Sequence, residues 1–144
     1  MNRFTQIIAA IAMNLPVIAA AATAQPAQLE VAFTGIETRE GNILMVLFDS
    51  EEGYNSEKAI RAVAVPADKA DVKTLIEGLS PGRYAVKSFH DIDGDSKMGS
   101  NPYGMPTEPF AFSNDARGQM GPASWTDASF EVKAGNNIAK IIIQ

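Results

Sequence analysis

Three aspartates at every second position, Asp91, Asp93 and Asp95, are the residues of this chain that are best placed to do chemistry. They directly follow a strand-like segment, so they begin a loop on which alternate side chains can converge on one point. Calcium takes about six to eight oxygen ligands, and a backbone carbonyl such as that of Lys97 can fill a position between carboxylates. The spacing therefore predicts a metal site rather than a reaction centre.

Comparison with the EF-hand loop weakens the prediction of a calcium site. The aspartates match positions one, three and five and Lys97 stands at seven, but Ser96 replaces the glycine at six and Pro102 replaces the bidentate glutamate at twelve. The alternative is a solvated turn, in which aspartate and glycine are common and Lys97 compensates part of the charge. Remote carboxylates would have to complete a metal shell, and the candidates are Glu108, Asp115 and Asp127.

His90, the single histidine of the chain, adjoins the acidic residues. A zinc site would need carboxylates for all its other protein ligands, which is uncommon. A hydrolase that uses His90 with nearby acids and a serine is an alternative, although the chain has no G-x-S-x-G spacing. We interpret His90 as a structural residue that hydrogen-bonds across the loop. The candidate serines of the alternative are Ser88, Ser113 and Ser124.

Residues 91–127 form a long excursion with scarcely any strand pattern. Loops beyond about 15 residues are usually functional or disordered, and this one carries prolines that stiffen it and aromatic side chains that require burial. The aromatic residues either anchor the loop to a sheet, which we favour, or line a groove for a sugar or an apolar ligand. They are Tyr103, Phe110, Phe112 and Trp125, with Asn101 and Asn114 as nearby polar partners.

Two details of the excursion follow from local pattern. Phe110 and Phe112 share one face and predict an added short strand. Asn114 lies in a Ser-Asn-Asp run that is typical of a turn in which the side chain caps its own backbone.

The candidate site residues are connected by short runs in which apolar and polar residues alternate with a period of two. This alternation is typical of strands and predicts an all-β protein. The predicted strands are 28–36, 41–48, 59–65, 71–77, 83–89, 128–132 and 138–143. Seven strands in this order predict a seven-stranded antiparallel β-sandwich, immunoglobulin- or transthyretin-like, with one long ordered loop.

Some elements carry a more specific prediction. The run 41–48 is apolar on both faces, which is typical of a central strand, and Pro66 makes 59–65 an edge strand. We expect a loop with one helical turn in 49–57, and a hairpin-like turn at 134–137 between the last two strands. A helix is the alternative for 68–77.

The N-terminus has the pattern of a secretory signal peptide. Arg3 precedes an apolar run that ends in the small-x-small sequence Ala22-Thr23-Ala24. The run is interrupted by a polar residue and a proline and is short for a membrane span of about 20 residues. We therefore predict a signal peptide at 1–24 and one domain at 25–144, exported to the bacterial periplasm or beyond, with no stable membrane span after cleavage.

Composition narrows the classes of partner. The net charge is −5 and becomes −6 once Arg3, the single charged residue of 1–24, is removed. This acidic balance excludes nucleic acid and disfavours anionic membranes, because both need clustered Lys and Arg. The chain has no cysteine, so thiol catalysis and thiolate metal sites are also excluded.

An ordered series of short motifs covers most of the predicted domain. It consists of Leu79-Ser80-Pro81-Gly82-Arg83-Tyr84-Ala85-Val86, His90-Asp91, Pro106, Phe112-Ser113-Asn114, Gly121-Pro122, and Ala128 with Phe130. This series resembles the bacterial family called domain of unknown function 2141. The resemblance implies an exported β-sandwich related to transthyretin-like and carboxypeptidase-regulatory-like modules. The family pattern has glycine where Ser96 stands and aspartate where Gly99 stands, which puts the completeness of an ion site in doubt.

These observations together predict an exported binding or interaction module that holds a protein, glycan or small-molecule partner and carries a weak calcium site after His90. Two alternatives remain. One is a structural accessory domain, in which calcium only stiffens the loop. The other is the hydrolase, which is the weakest because no nucleophile, cofactor or phosphate-binding motif is present.

Overall fold

The computed structural model describes residues 25–144, and the predicted signal peptide at 1–24 lies outside the described residues. The elements are β1 (Ala27–Thr34), β2 (Asn42–Phe48), α1 (Glu51–Asn55), β3 (Arg61–Pro66), β4 (Val72–Leu79), β5 (Gly82–Asp91), β6 (Phe110–Phe112), a 3₁₀ turn (Ser113–Asp115), α2 (Trp125–Ala128), β7 (Phe130–Val132) and β8 (Gly135–Ile142). Within 25–144, no helix has the length and apolar character that crossing a membrane would require.

The strands form two sheets. One has the order β4-β1-β8, and the other has the order β3-β2-β5-β6, with β7 also paired to β5. Alternate residues of β1, β2 and β5 enter a common core, because successive side chains of a strand point to opposite faces. The predicted all-β sandwich is confirmed, with eight strands rather than seven in the described part, since Phe110–Phe112 forms a strand of its own.

The prediction that all strands are antiparallel is wrong. β8 pairs in parallel with β1, from Ala27 opposite Gly135 to Thr34 opposite Ile142. The predicted hairpin at 134–137 is also wrong, because β7 pairs with β5 in one sheet while β8 joins the other. The chain therefore crosses between the sheets at this turn.

β2 and β5 occupy the centre of the larger sheet, as the apolar run 41–48 predicts. On one face Ile43, Met45 and Leu47 are buried between the sheets. β3 lies at the sheet edge, as predicted from Pro66. Residues 72–79 form a strand, so the helical alternative for 68–77 is wrong, and the predicted helical turn in 49–57 is confirmed as α1.

The free side of β5 is shared by two short strands. β7 pairs with Gly82–Tyr84 and β6 pairs with Lys87–Phe89. Between them the backbone N–H of Val86 donates to the Ser113 hydroxyl at 2.9 Å, and that hydroxyl donates to the carbonyl of Ala128 at 2.6 Å. A side chain thus replaces the missing strand partner, as a buried backbone donor requires.

A second apolar cluster covers the outer face of the larger sheet. The buried members are Phe48, Tyr54, Ala85, Phe112, Ala123 and Ala128. Tyr54 of α1 donates its hydroxyl to the carbonyl of Ala123 at 2.9 Å, and its ring meets Trp125 edge-on with centroids 5.8 Å apart. This cluster fastens α1 and α2 to the sheet.

Lys87 of β5 reaches into the same outer cluster. Its ammonium lies 4.0 Å from the ring centroid of Tyr54 and 5.1 Å from that of Phe48. It donates to the carbonyl of Tyr54 at 3.0 Å and pairs with Glu57 at 2.5 Å. The charge is thus stabilised by two aromatic faces and a carboxylate while its stem covers the sheet.

Burial, followed by the negative charge of Glu57, raises the pKa of Tyr54 from 10.0 to about 12. The unfolded chain therefore loses this proton first, and the contribution of the neutral phenol to stability is intact below about pH 10 and is lost as the pH rises towards 12. We predict that Tyr54→Phe lowers the free energy of unfolding at about pH 8, and that its difference from the wild type narrows by about 1 kcal/mol at about pH 11.

Denaturant titration at the two pH values measures this difference. Tyr103→Phe is the matched control, because it makes the same substitution at a tyrosine whose side chain is exposed. A Tyr54→Phe difference that stays constant with pH would contradict the prediction.

Candidate functional site on the excursion

The carboxylates of the acidic loop (residues 91–97) come together in space. Oxygens of Asp91, Asp93 and Asp95 lie within 4.8 Å of one another, with Asp91 buried and the other two exposed. Two oxygens on opposite sides of a calcium ion lie about 4.6–5.2 Å apart, twice the usual bond length. The donor set and its spacing therefore fit calcium, with further oxygens required from backbone or water.

The same carboxylates also shape the loop. Asp91 accepts backbone hydrogen bonds from Gly94 at 3.0 Å and Ser96 at 3.2 Å. Asp93 and Asp95 each accept from the N–H two residues further on, at 3.1 and 2.7 Å. This is the local bonding expected of the solvated-turn alternative. The loop geometry is therefore compatible with both interpretations of the aspartates.

Ser96 takes a left-handed conformation with φ of 61°. Such a conformation costs a residue with a side chain about 1–2 kcal/mol relative to the usual regions. The bond from its N–H to Asp91 helps to hold it there. The missing glycine at position six therefore does not prevent the turn that an EF-hand makes at this point.

One glutamate clamps the acidic loop. Glu108 accepts from the backbone N–H of Ile92 at 3.0 Å with one oxygen and from that of Gly99 at 3.0 Å with the other. Of the three remote carboxylates considered for a metal shell, Glu108 is therefore engaged with the loop. Asp115 lies in the 3₁₀ turn and Asp127 bonds the residue that caps α2.

His90 is buried and joins three parts of the chain. Its Nε2 lies 2.7 Å from the carbonyl oxygen of Glu40, to which it donates, and its backbone N–H donates to the carbonyl of Pro109 at 2.8 Å. This is the bonding of a structural histidine. None of the three candidate serines bonds His90 among the described residues, since their hydroxyls bond elsewhere: Ser88 to Ala111, Ser113 to Ala128 and Ser124 to Asp127.

Residues 98–107 form a short hairpin, which we call the tip. The carbonyl of Asn101 accepts from the N–H of Gly104 at 2.9 Å, and the Asn101 side chain accepts from Tyr103 and Met105 at 2.9 and 3.0 Å. Asparagine, proline and glycine at the first, second and fourth positions are typical of a type I turn. The sequence NPYG could thus have located the tip in advance.

The tip directs large apolar side chains into solvent. Tyr103 is 90% exposed, Met105 62% and Met98 36%. The prediction that Tyr103 requires burial and anchors the excursion is therefore wrong. The physical reason is that the turn satisfies its hydrogen bonds within itself, so its order does not depend on packing Tyr103 against the sheet.

The other aromatic residues lie near the sheets. Phe112 is buried in the outer cluster, against which Trp125 also packs. Phe110 is 38% exposed, and its ring meets that of Phe112 edge-on at 5.9 Å. Phe110 and Phe112 form the predicted short strand, so Phe112 and Trp125 attach the excursion to the sandwich, whereas Phe110 borders an open cleft.

Asn114 has a different role from the predicted one. Its side chain donates to the carbonyls of Asp127 at 3.2 Å and Ser129 at 2.8 Å, which are distant in sequence, rather than capping its own backbone. The cleft beside Phe110 also contains two residues that the sequence analysis missed, Arg117 and Ile142. Their separation in the chain left no local signal that would have grouped them.

These features define a two-sheet all-β domain whose long insertion carries a clamped acidic loop and a solvent-exposed tip. The chain matches the model of domain of unknown function 2141, described as an uncharacterized protein conserved in bacteria, over residues 31–140, and it belongs to that family. The predicted family is thereby confirmed. No curated protein and no solved structure matched the chain.

We predict that Glu108→Gln loosens the acidic loop. The change removes the charge from two hydrogen bonds and turns an amide N–H₂ towards one of the two backbone donors, which should lower the free energy of unfolding by about 1–3 kcal/mol. Amide hydrogen exchange should accelerate at Ile92 and Gly99. Glu37→Gln, at an exposed glutamate, is the matched control, and unchanged exchange at both amides would contradict the clamp.

Proposed function

We propose that this protein is an exported interaction module that docks a partner protein through the tip. The observation that carries the proposal is the combination of order and exposure: Tyr103, Met98 and Met105 face solvent on a hairpin held by its own hydrogen bonds. Large exposed apolar side chains that are grouped on one surface element often mark an interaction surface. Aromatic and methionine side chains are also enriched where proteins bind each other.

The rigidity of the tip favours binding. Hydrogen bonds hold the backbone of the tip, so its association with a partner loses less conformational entropy than the ordering of a mobile loop would. Burial of each large apolar side chain in a partner would contribute about 1.5–3 kcal/mol. The clamp by Glu108 and the Asn101 bonds thus support a preformed docking element.

The charge next to the tip narrows the class of partner that can bind there. Residues 91–108 carry four carboxylates and one lysine, Lys97. Such a surface is repelled by anionic lipid and attracted by basic groups. We therefore propose a partner protein with an apolar pocket and a basic rim. A glycan or small molecule at the tip is less favoured, since Tyr103 and Met105 are exposed to solvent rather than enclosed.

The proposal includes export. The pattern of residues 1–24 supports cleavage after Ala24 and a mature chain that begins at Gln25, in the periplasm or outside the cell.

A second proposal concerns calcium. The spacing of the Asp91, Asp93 and Asp95 oxygens supports a weak site in the acidic loop, with the Lys97 carbonyl among the candidate ligands. An ion there would neutralise repulsion between the carboxylates and stiffen the base of the tip.

We predict that the mature protein, which begins at Gln25, captures one discrete protein of the exported fraction when it carries a photo-crosslinking phenylalanine analogue at position 103. The same analogue at position 120 is the matched control, since Met120 is fully exposed but lies outside the tip. Met105→Ser should abolish the crosslink without changing the melting temperature. The same products from both positions, lipid or glycan products alone, or a crosslink that survives Met105→Ser would contradict docking by the tip.

We predict that calcium raises the melting temperature of the chelator-stripped mature protein. A ligand that binds the native state stabilises it by mass action, so about 5 mM Ca²⁺ should give a shift of a few degrees. The shift should vanish in the double variant Asp93→Asn, Asp95→Asn and persist in Asp68→Asn, an exposed aspartate elsewhere. No heat in calorimetry and no shift at millimolar calcium would contradict the site.

A further inference from the structure

A cleft of about 380 Å³ lies where β6, the end of β8 and the chain after the 3₁₀ turn meet. Its apolar wall consists of Phe110 and Ile142, which are 38% and 44% exposed, with Phe112 behind them. The volume is at the small end of the range for ligand sites, which suits a small molecule rather than a polymer. Exposed apolar side chains in a concave surface are available to an apolar ligand group.

Two opposite charges also line this cleft. Asp115 and Arg117 both contribute to its wall and both are exposed. Among the described residues they do not form an ion pair with each other or with another side chain. Arg117 donates to the side-chain carbonyl of Gln144, which uses part of a guanidinium with five donors. Both charges are therefore available to a ligand.

The backbone holds Asp115 in an unusual conformation. Asn114 and Asp115 have φ of 59° and 51°, two successive residues in the left-handed region. Such conformations persist where the surroundings enforce them and are concentrated at binding sites. The enforcing contacts are the Asn114 side-chain bonds to the carbonyls of Asp127 and Ser129. The backbone position of Asp115 at the wall of the cleft is thus fixed by the fold.

We propose that this cleft binds a free α-amino acid with an apolar side chain. The ligand carboxylate bonds the guanidinium of Arg117, for which a planar bidentate contact is the preferred geometry. The ligand ammonium pairs with Asp115, and its side chain covers Phe110 and Ile142. A fatty acid would leave Asp115 unpaired, and a simple amine would leave Arg117 unpaired, so the zwitterion matches both charges. This site is independent of docking by the tip.

Titration of the mature protein with L-leucine and L-phenylalanine, followed by calorimetry and amide NMR shifts, tests the proposal. We expect binding, with shifts at Phe110 and Arg117. N-acetyl-L-phenylalanine, which lacks the ammonium, and phenethylamine, which lacks the carboxylate, should each bind at least about tenfold more weakly, because each loses one charge-assisted contact.

Two variants test the charges separately. Arg117→Gln and Asp115→Asn should each weaken amino-acid binding by at least about tenfold while the melting temperature stays unchanged, since both side chains are exposed. Arg61→Gln is the matched control, at an exposed arginine that bonds the carbonyl of Ile60. No binding at about 10 mM amino acid, equal binding of the blocked analogues, or full binding by both cleft variants would overturn the proposal.

Discussion

The burial of β5 on both faces and along both edges is the constraint on which the rest of the structure depends. One face packs between the sheets through Tyr84 and Val86, and the other is covered by the outer cluster through Ala85. One edge pairs with β2 from Ala85 to Asp91, while the other receives two short strands. Because buried backbone groups require partners, the chain from 110 to 132 must return to this edge and supply them.

The excursion therefore packs against the sandwich where it supplies partners to β5, and it is exposed to solvent beyond those contacts. Ser113 lies between β6 and β7 and satisfies the backbone between them, which ties the 3₁₀ turn and α2 to the sheet. At the far end of β5, the ring of His90 bonds the carbonyl of Glu40, and Glu108 clamps the acidic loop. The tip lies beyond these anchors, so its side chains remain available to solvent.

The tip and the cleft differ in chemistry. The tip exposes Tyr103 and two methionines next to the acidic loop, which suits a protein surface. The cleft is concave and combines an apolar wall with the separated charges of Asp115 and Arg117, which suits a small zwitterion. The tip and all of the cleft wall except Ile142 and Gln144 belong to the excursion, so the same segment that supplies partners to β5 also carries the two proposed binding surfaces.

The strands, the central position of 41–48, the edge position of 59–65 and the family could all be predicted from the sequence, because alternation and turn residues act locally. The spacing of the three aspartates likewise indicated their convergence. The parallel pairing of β8 with β1, the exposure of Tyr103 and the meeting of Arg117 with Ile142 could not. These three features depend on which sheet edges are vacant and on which turns satisfy their own hydrogen bonds. The competition between these possibilities involves residues distant in sequence, so only the tertiary structure decides it.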